Sequence, residues 1–153
     1  MTTITFSVAG VPKPKGSMRA FVREGRPVLT SDNPGVSGWQ QTIGWSAVEA
    51  TRAATAAAIH GLPFPTDPVR VSLRFELPRP TTTPRRAEPT TKPDLDKLTR
   101  AVFDALTGVL WTDDAQVCYL EARKRYIAAG GVPGVRITVT DHDDDASTAE
   151  GTL

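Results

Sequence analysis

Residues 69–77 read Val-Arg-Val-Ser-Leu-Arg-Phe-Glu-Leu, with an apolar residue at every odd position and a polar residue at every even one. Because side chains alternate between the two faces of a β-strand, this pattern predicts a strand that buries one face and exposes the other. At 153 residues, 39% hydrophobic and 23% charged, the chain has the size and composition of one globular domain. We therefore expect a single domain in which this strand packs on the core.

Further segments with apolar alternation surround this stretch and predict additional strands. They are 4–8, a hairpin at 19–29 broken at Glu24-Gly25, 117–126 and 135–139.

Two segments carry helical periodicity instead. Ser37 and Gln40 have the spacing of a capping box, and apolar residues then recur at helical intervals up to His60. A second helix is expected from Asp94 to about Leu106, with Gly108 as its stop signal. Together these elements predict an α+β fold, in which a mixed β-sheet of about five or six strands packs with two main helices.

The charge of the chain is unevenly distributed. The formal net charge is +1, but all 18 Lys and Arg residues precede residue 141, whereas five of the 17 acidic residues lie in 141–153, so residues 1–140 carry +6. We expect one domain at 1–140 followed by a disordered acidic tail at 141–153, and a mobile Pro-, Thr- and Arg-rich loop at 78–89. A basic body suits a polyanionic partner, although such residues are also common on solvated surfaces.

Cysteine content and hydropathy exclude several classes of protein. Cys118 is the only cysteine, which excludes an internal disulfide and a thiolate zinc site, and its place in a predicted strand suggests a buried structural thiol. The longest apolar stretches have the length of strands, well short of the roughly 20 residues of a membrane helix. We expect no membrane association and a cytoplasmic location.

Acidic residues precede the second predicted helix. Pro93 favours extended backbone at Lys92, and Asp94 is a good N-cap residue, so Asp94 can fold back over the first turn, where Asp96 lies. A helix N-terminus presents free N–H groups and partial positive charge, which favours carboxylates and also bound phosphate.

A second acidic pair, Asp113-Asp114, lies between this helix and the next predicted strand. If the strand returns alongside the helix, Asp114 is brought beside Asp96. Trp111, just before the pair, is expected to pin the turn against the body of the protein. Three or four carboxylates gathered in this way repel one another and usually need a cation.

Magnesium is the natural cation for such a cluster, since it takes oxygen ligands and commonly combines one or two carboxylates with water and phosphate oxygens. The alternative is structural: Asp94 caps a helix and Asp113-Asp114 forms a surface turn, both of which suit Asp. The Asp-x-Asp pair alone favours that alternative, and the second acidic pair favours phosphate chemistry.

The ordered set of motifs resembles the RusA family of Holliday junction resolvases, which are crossover junction endodeoxyribonucleases. The residues that carry the resemblance are Lys92-Pro-Asp-Leu-Asp-Lys-Leu, Phe103-Asp-Ala-Leu, Gly108-Val-Leu-Trp-Thr-Asp-Asp-Ala-Gln-Val and Arg123-Lys124. Phe6 to Gly16, followed by Arg19, is similar to the family's opening strand and basic loop, so the resemblance spans about residues 4–140.

This resemblance implies a homodimeric, magnesium-dependent endonuclease, with Mn²⁺ as a substitute metal, that resolves four-way DNA junctions by paired nicks in recombination and repair. It assigns metal binding to Asp94, Asp96 and Asp114, with Asp113 as an auxiliary acid, and it implies no organic cofactor. Arg100 stands where the family has its catalytic lysine, which keeps the charge and changes its geometry.

Basic residues of the loops and strand ends are expected to bind DNA phosphates, with little reading of sequence. They are Lys13, Lys15, Arg19, Arg79, Arg85, Arg86, Lys97, Arg123, Lys124 and Arg125. Asp104, beside Phe103 and Leu106, is expected to have a structural hydrogen-bonding role.

Two alternative functions remain open at this point. The first is a nuclease for other branched DNA, because the acids specify phosphodiester cleavage and not the shape of the DNA. The second is a junction-binding protein without catalysis, which the replacement of the lysine by Arg100 favours. A purely structural domain would have been preferred had only Asp-x-Asp been present.

Overall fold

The computed structural model describes residues 1–16, 18–31, 34–54, 61–82 and 88–142, and for 18–21 and 29–31 it describes the backbone alone. Its elements, in chain order, are β1 (Thr3–Ala9), β2 (Met18–Arg23), β3 (Arg26–Ser31), α1 (Val36–Ala54), β4 (Val69–Leu77), α2 (Leu95–Leu106), a 3-10 turn (Asp114–Gln116), β5 (Val117–Tyr126) and β6 (Gly134–Asp141). The expected α+β fold, with a mixed sheet and two main helices, is confirmed.

The strands form two sheets within the described residues. Four strands make the main sheet in the order β1-β6-β4-β5, in which β4 runs parallel to β5 and antiparallel to β6, and β1 runs antiparallel to β6. Strands β2 and β3 form a separate antiparallel hairpin. Its turn residues, Glu24 and Gly25, have φ angles of 53° and 74°, the left-handed backbone that a tight hairpin turn requires.

The core lies between the inner face of the main sheet and the two helices. Strand β4 is hydrogen-bonded on both sides, and its odd-numbered residues are all buried, as the alternation in 69–77 predicts. They pack in one cluster with Ile43 of α1 and with Leu98 and Val102 of α2. Both helices therefore cover the same face of the sheet, and within the described residues neither helix covers the opposite face.

Helix α1 begins earlier than the sequence predicts. It starts at Val36, which places Ser37 inside the first turn and not at the capping position. The backbone N–H of Trp39 donates to the carbonyl of Gly35, and Gly35 has a φ of 87°. Glycine is accepted before a helix and suits this left-handed conformation, so the Pro34-Gly35 turn sets the start instead of the Ser37 hydroxyl.

The expected burial of Cys118 is wrong, because this thiol is exposed. In the pairing of β4 with β5, Val69 lies opposite Val117 and Arg70 opposite Tyr119, so the register skips Cys118. Strand β5 is also the edge of the main sheet, where a skipped residue is easily accommodated.

Several expectations fall partly or wholly outside the described residues. These are the end of the first helix after Ala54, the centre of the loop at 78–89, and the acidic tail after His142. None of the helices within the described ranges combines the length and hydropathy needed to cross a membrane.

Gly134 offers a test of how tightly β1 packs on β6. A Cβ atom at this position would lie 2.3 Å from the carbonyl oxygen of Val8, so Gly134→Ala must push β1 away from its partner strand. We expect Gly134→Ala to lower the free energy of unfolding by about 1–3 kcal/mol, measured by urea denaturation.

The matched control is Gly38→Ala in α1, where a new Cβ meets nothing within 4 Å. Removing a helical glycine should raise the free energy of unfolding by up to about 1 kcal/mol. An unchanged urea midpoint in Gly134→Ala would contradict the register of β1 on β6.

Candidate functional site

An open groove of about 650 Å³ runs between α2 and the edge strand β5. Its lining combines apolar side chains with two acids and one base: Leu95, Asp96, Thr99, Arg100, Phe103, Asp114, Leu120 and Ala122. The helix contributes residues one turn apart, and β5 contributes two residues of its inner face. The packing of α2 along β5 therefore brings Asp96, Arg100 and Asp114 to one surface.

Asp94 occupies the N-cap position of α2, as predicted, but its side chain makes no capping hydrogen bond. Its nearest basic partner is Lys97, whose Nζ atom lies 3.8 Å from Oδ2 in an exposed ion pair one turn along the helix. Asp96 lies in the first turn of the helix and is also exposed. Both carboxylates are thus accessible at the positive end of the helix dipole.

Asp114 is held by two donors at the other end of α2. The indole Nε1–H of Trp111 donates to Asp114 Oδ1 over 2.9 Å, and the Thr107 hydroxyl donates to the same oxygen. Trp111 is fully buried and stacks edge-to-face on Phe103, with ring centroids 5.6 Å apart. The expectation that Trp111 pins the acidic turn is confirmed, since its ring is buried and its N–H orients the carboxylate.

Asp113 instead stabilises the turn itself. Its Oδ1 atom accepts a hydrogen bond from Ala115 N–H, and Gln116 Oε1 accepts from Asp113 N–H, which completes a capping box. The Gln116 amide also donates to the carbonyls of Phe64 and Asp67. The carboxylate of Asp113 does not line the groove.

The acids are not gathered into one cluster. Asp114 is bonded to Thr107 just after α2 ends, whereas Asp96 lies in its first turn, so roughly 16 Å of helix separates Asp96 from Thr107 at about 1.5 Å per residue. Within the described ranges, no group of three or more acidic, His or Cys side chains is arranged to hold a metal ion. The sequence predicted Asp114 beside Asp96. The two instead share one groove from opposite ends, because β5 starts beside the C-terminal end of α2.

Arg100 lines the groove between the two acidic ends and is exposed. On the other side of α2, the basic loop after β1 is tied to the helix: Lys15 Nζ lies 2.9 Å from Asp104 Oδ2, and Lys15 N–H donates to the carbonyl of Lys97. The structural role expected for Asp104 is confirmed by this ion pair. Lys15 was expected to bind DNA and here anchors its own loop.

Lys124 is similarly engaged within the protein. It lies on the same face of β5 as Leu120 and Ala122, and its Nζ atom donates to the carbonyl oxygens of Thr91 and Pro93, each over 2.8 Å. Those carbonyls belong to the loop that ends at Asp94. The ammonium group therefore fastens the start of α2 to the edge of the sheet and holds Asp94 in position.

The other residues expected to bind DNA are dispersed. Arg123 lies 3.9 Å from Glu88, Arg125 donates to Glu76 over 2.6 Å, Arg79 stacks on Tyr126, and Lys13 is half-buried near Gly35. Strand β2 contains Arg19, whose side chain is outside the described part of the chain, as are Arg85 and Arg86.

The sequence analysis gave no role to two residues that organise the site, Thr107 and Gln116, and it assigned Lys124 to DNA binding and not to the loop that it fastens. The spacing of Asp113 and Gln116 is that of a capping box and could have revealed the turn. The hydrogen bonds of Thr107 and Lys124 depend on how α2 lies along β5, which the sequence pattern of neither element encodes.

Replacing Lys124 with Met keeps most of the side-chain length and removes the ammonium group. We expect amide hydrogen exchange at residues 90–95 to accelerate by about 5- to 30-fold, since two hydrogen bonds to a charged donor, one exposed and one half-buried, are worth on the order of 1–2 kcal/mol here. The measurement is residue-resolved exchange monitored by NMR.

Arg123→Met is the control, because Arg123 projects from the opposite face of β5 and its exposed ion pair with Glu88 contributes little. Equal exchange rates at residues 90–95 in both variants and the wild type would show that Lys124 does not hold this loop.

Two sequence matches show what the chain is similar to. The chain is 30% identical over 137 residues to an uncharacterized protein, YqaN, of Bacillus subtilis (strain 168), an alignment that covers 82% of this chain and 89% of that protein. The sequence model of the endodeoxyribonuclease RusA family matches residues 11–140, which include both helices, the acidic groove and the main sheet apart from β1 and the last residue of β6. The chain therefore belongs to the RusA family of endodeoxyribonucleases.

Proposed function

We propose that the protein is a magnesium-dependent endodeoxyribonuclease that resolves four-way DNA junctions by paired nicks in recombination and repair. The observation that carries this proposal is the groove in which Asp96, Arg100 and Asp114 face one open surface, in a chain of the RusA family. The groove has acids at both ends and an arginine between them. This arrangement suits a phosphodiester backbone if a cation binds between the acids and the phosphates.

The side chains present at the start of α2 fit a magnesium ion. Asp94 and Asp96 supply hard oxygen ligands at the N-cap and in the first turn of α2, and the Asp94 side chain makes no capping hydrogen bond, only an exposed ion pair with Lys97. Two carboxylates are a common protein contribution to a Mg²⁺ site, with water and substrate phosphate completing the shell. Bound Mg²⁺ would supply a Lewis acid that activates water and stabilises the leaving oxygen.

The chain's own residues would position the substrate. Arg100, with five N–H donors in a planar fork, would bind the phosphate next to the bond that is cut. Asp114 would act as the third acid, its orientation maintained by Trp111 and Thr107. Two symmetric nicks require two such sites related by a twofold axis, so we propose a homodimer. The cytoplasmic location, the use of Mn²⁺ and an auxiliary role for Asp113 stay predictions.

One observation favours the second candidate, a junction-binding protein without catalysis. Asp96 and Asp114 lie at opposite ends of the groove, and the described residues contain no three-acid metal cluster. Binding without nicking would be the expected behaviour if the acids stayed apart when DNA binds.

Asp114→Asn tests the proposed function. With Mg²⁺, the wild type should nick a labelled four-way junction in pairs and leave a linear duplex of the same sequence intact, and EDTA should abolish nicking. Asp114→Asn should reduce nicking by at least 100-fold while binding the junction as tightly as wild type or more tightly, because one charge that repels the phosphate is gone.

Asp67→Asn is the control, since this acid is exposed and lies outside the groove lining. It should nick at the wild-type rate. Tight junction binding by the wild type without any Mg²⁺-dependent nicking would replace the proposed enzyme with the non-catalytic candidate.

Arg100 provides a second test. Arg100→Gln should slow nicking by about 10- to 100-fold, the loss expected for a hydrogen bond between a charged donor and phosphate, worth about 1.5–3 kcal/mol. Arg100→Lys should restore most of the rate, because it returns the positive charge. Equal rates in Arg100→Gln and wild type, measured in single-turnover assays, would exclude contact between Arg100 and the reacting phosphate.

A further inference from the structure

The outer face of the main sheet, opposite the helices, is strongly basic. It is formed by the residues that alternate with the core residues in the four strands, and apart from Gly134 they are exposed or half-exposed. Five are arginines and two are glutamates: Arg70, Arg74, Arg123, Arg125, Arg136, Glu76 and Glu121. Most of the others carry hydroxyl groups.

The strand register aligns three of these arginines in one row across the sheet. Arg74 of β4 lies directly opposite Arg123 of β5 and opposite Arg136 of β6, and Ser7 of β1 continues the row. Adjacent strands are about 4.8 Å apart, so like charges in such a row repel one another and destabilise the sheet. The row, called here the arginine row, costs folding energy unless an anion binds it.

Acids pair with two of the three arginines of the row, and only over long contacts. The Glu76 carboxylate pairs mainly with Arg125, whose Nη2 atom lies 2.6 Å from Oε1, while Arg74 Nε lies 3.7 Å from the same oxygen. Arg123 has a distant and exposed partner in Glu88. Among the ion pairs of the described residues, none involves Arg136.

A shallow cavity of about 250 Å³ lies next to the row, where β1, β6 and β4 meet. Arg74, Arg136 and Ser7 line it, together with the small or apolar residues Val8, Ala9, Val132, Pro133, Gly134 and Val135. The Glu76 carboxylate also borders the cavity, where Arg125 binds it. Two guanidinium groups and a hydroxyl around a hollow of this size match the oxygens of a phosphate group.

We propose that the arginine row is a phosphate-binding surface for a second duplex arm of branched DNA. This inference rests on the proposed function and extends it from the cut strand to the rest of the junction. The groove that carries Asp96 and Asp114 opens on the inner side of β5, through Leu120 and Ala122, whereas Arg123 projects from the outer side. One straight duplex cannot follow both faces of a sheet edge, so the two surfaces contact different arms.

The double variant Arg74→Gln/Arg136→Gln tests this assignment by junction binding in EDTA, which separates binding from cleavage. We expect junction affinity to fall about 10- to 100-fold and the affinity for a linear duplex to fall less than threefold. The slope of log affinity against log salt for the junction should decrease by about 1–2, since each lost phosphate contact contributes about 0.9. Nicking at saturating enzyme and Mg²⁺ should keep the wild-type rate.

The control is Arg26→Gln/Arg52→Gln, which removes the same charge from exposed positions on β3 and α1 and should leave affinity and salt slope within about twofold of the wild type. Thermal unfolding would verify that both double variants fold. Unchanged junction binding in the Arg74 and Arg136 variant, or an equal loss for junction and duplex, would overturn the second-arm assignment while leaving the nicking activity standing. A wild type that bound neither DNA would remove the proposed function and this inference together.

Discussion

The burial of one face of β4 is the constraint from which the rest of the structure follows. The strand is hydrogen-bonded on both sides, and its five apolar side chains are at most 4% exposed, each contributing roughly 1.5–3 kcal/mol by leaving water. Because a shift of one residue would exchange the two faces, the register of β5 and β6 on β4 is strongly determined. That register places Leu120 and Ala122 toward α2 and the arginines toward solvent. Both surfaces assigned to DNA depend on it.

Much of the fold could be predicted from local patterns. The alternation in 69–77, the helical spacing in 94–106 and the turn at Glu24-Gly25 each correspond to an element within two residues of the predicted ends. Two features could not be predicted in this way. The start of α1 depends on the backbone conformation of Gly35, and the exposure of Cys118 depends on a position skipped in the parallel pairing of β4 with β5. Local sequence predicts whether a segment forms a helix or a strand more reliably than it predicts the register of that segment against the neighbouring element.

The candidate site likewise has features that local sequence predicts and features that it does not. Asp94 at the helix start and the anchoring by Trp111 follow from propensities that belong to single residues and their neighbours in the chain. The separation of Asp96 from Asp114 does not, since it arises from the direction in which β5 runs along α2. Charge alone also did not reveal the internal contacts of several basic residues: Lys15 and Lys124 hold loops in place, and Arg125 binds Glu76. The sequence alone does not distinguish a lysine that holds a loop from a lysine that binds a phosphate.

Helix α2 spans the groove as one unbroken helix of 12 residues, and this limits where insertions can occur in the family. Each residue inserted into the helix would lengthen it by about 1.5 Å and turn everything beyond the insertion by about 100°. The face that carries Asp96 and Arg100 would then lose its alignment with Thr107, which orients the acid at the far end. Surface loops absorb insertions readily, but this segment cannot. We therefore expect relatives of this chain to have insertions and deletions elsewhere, and to keep the number of residues between the Asp-x-Asp pair and Trp111.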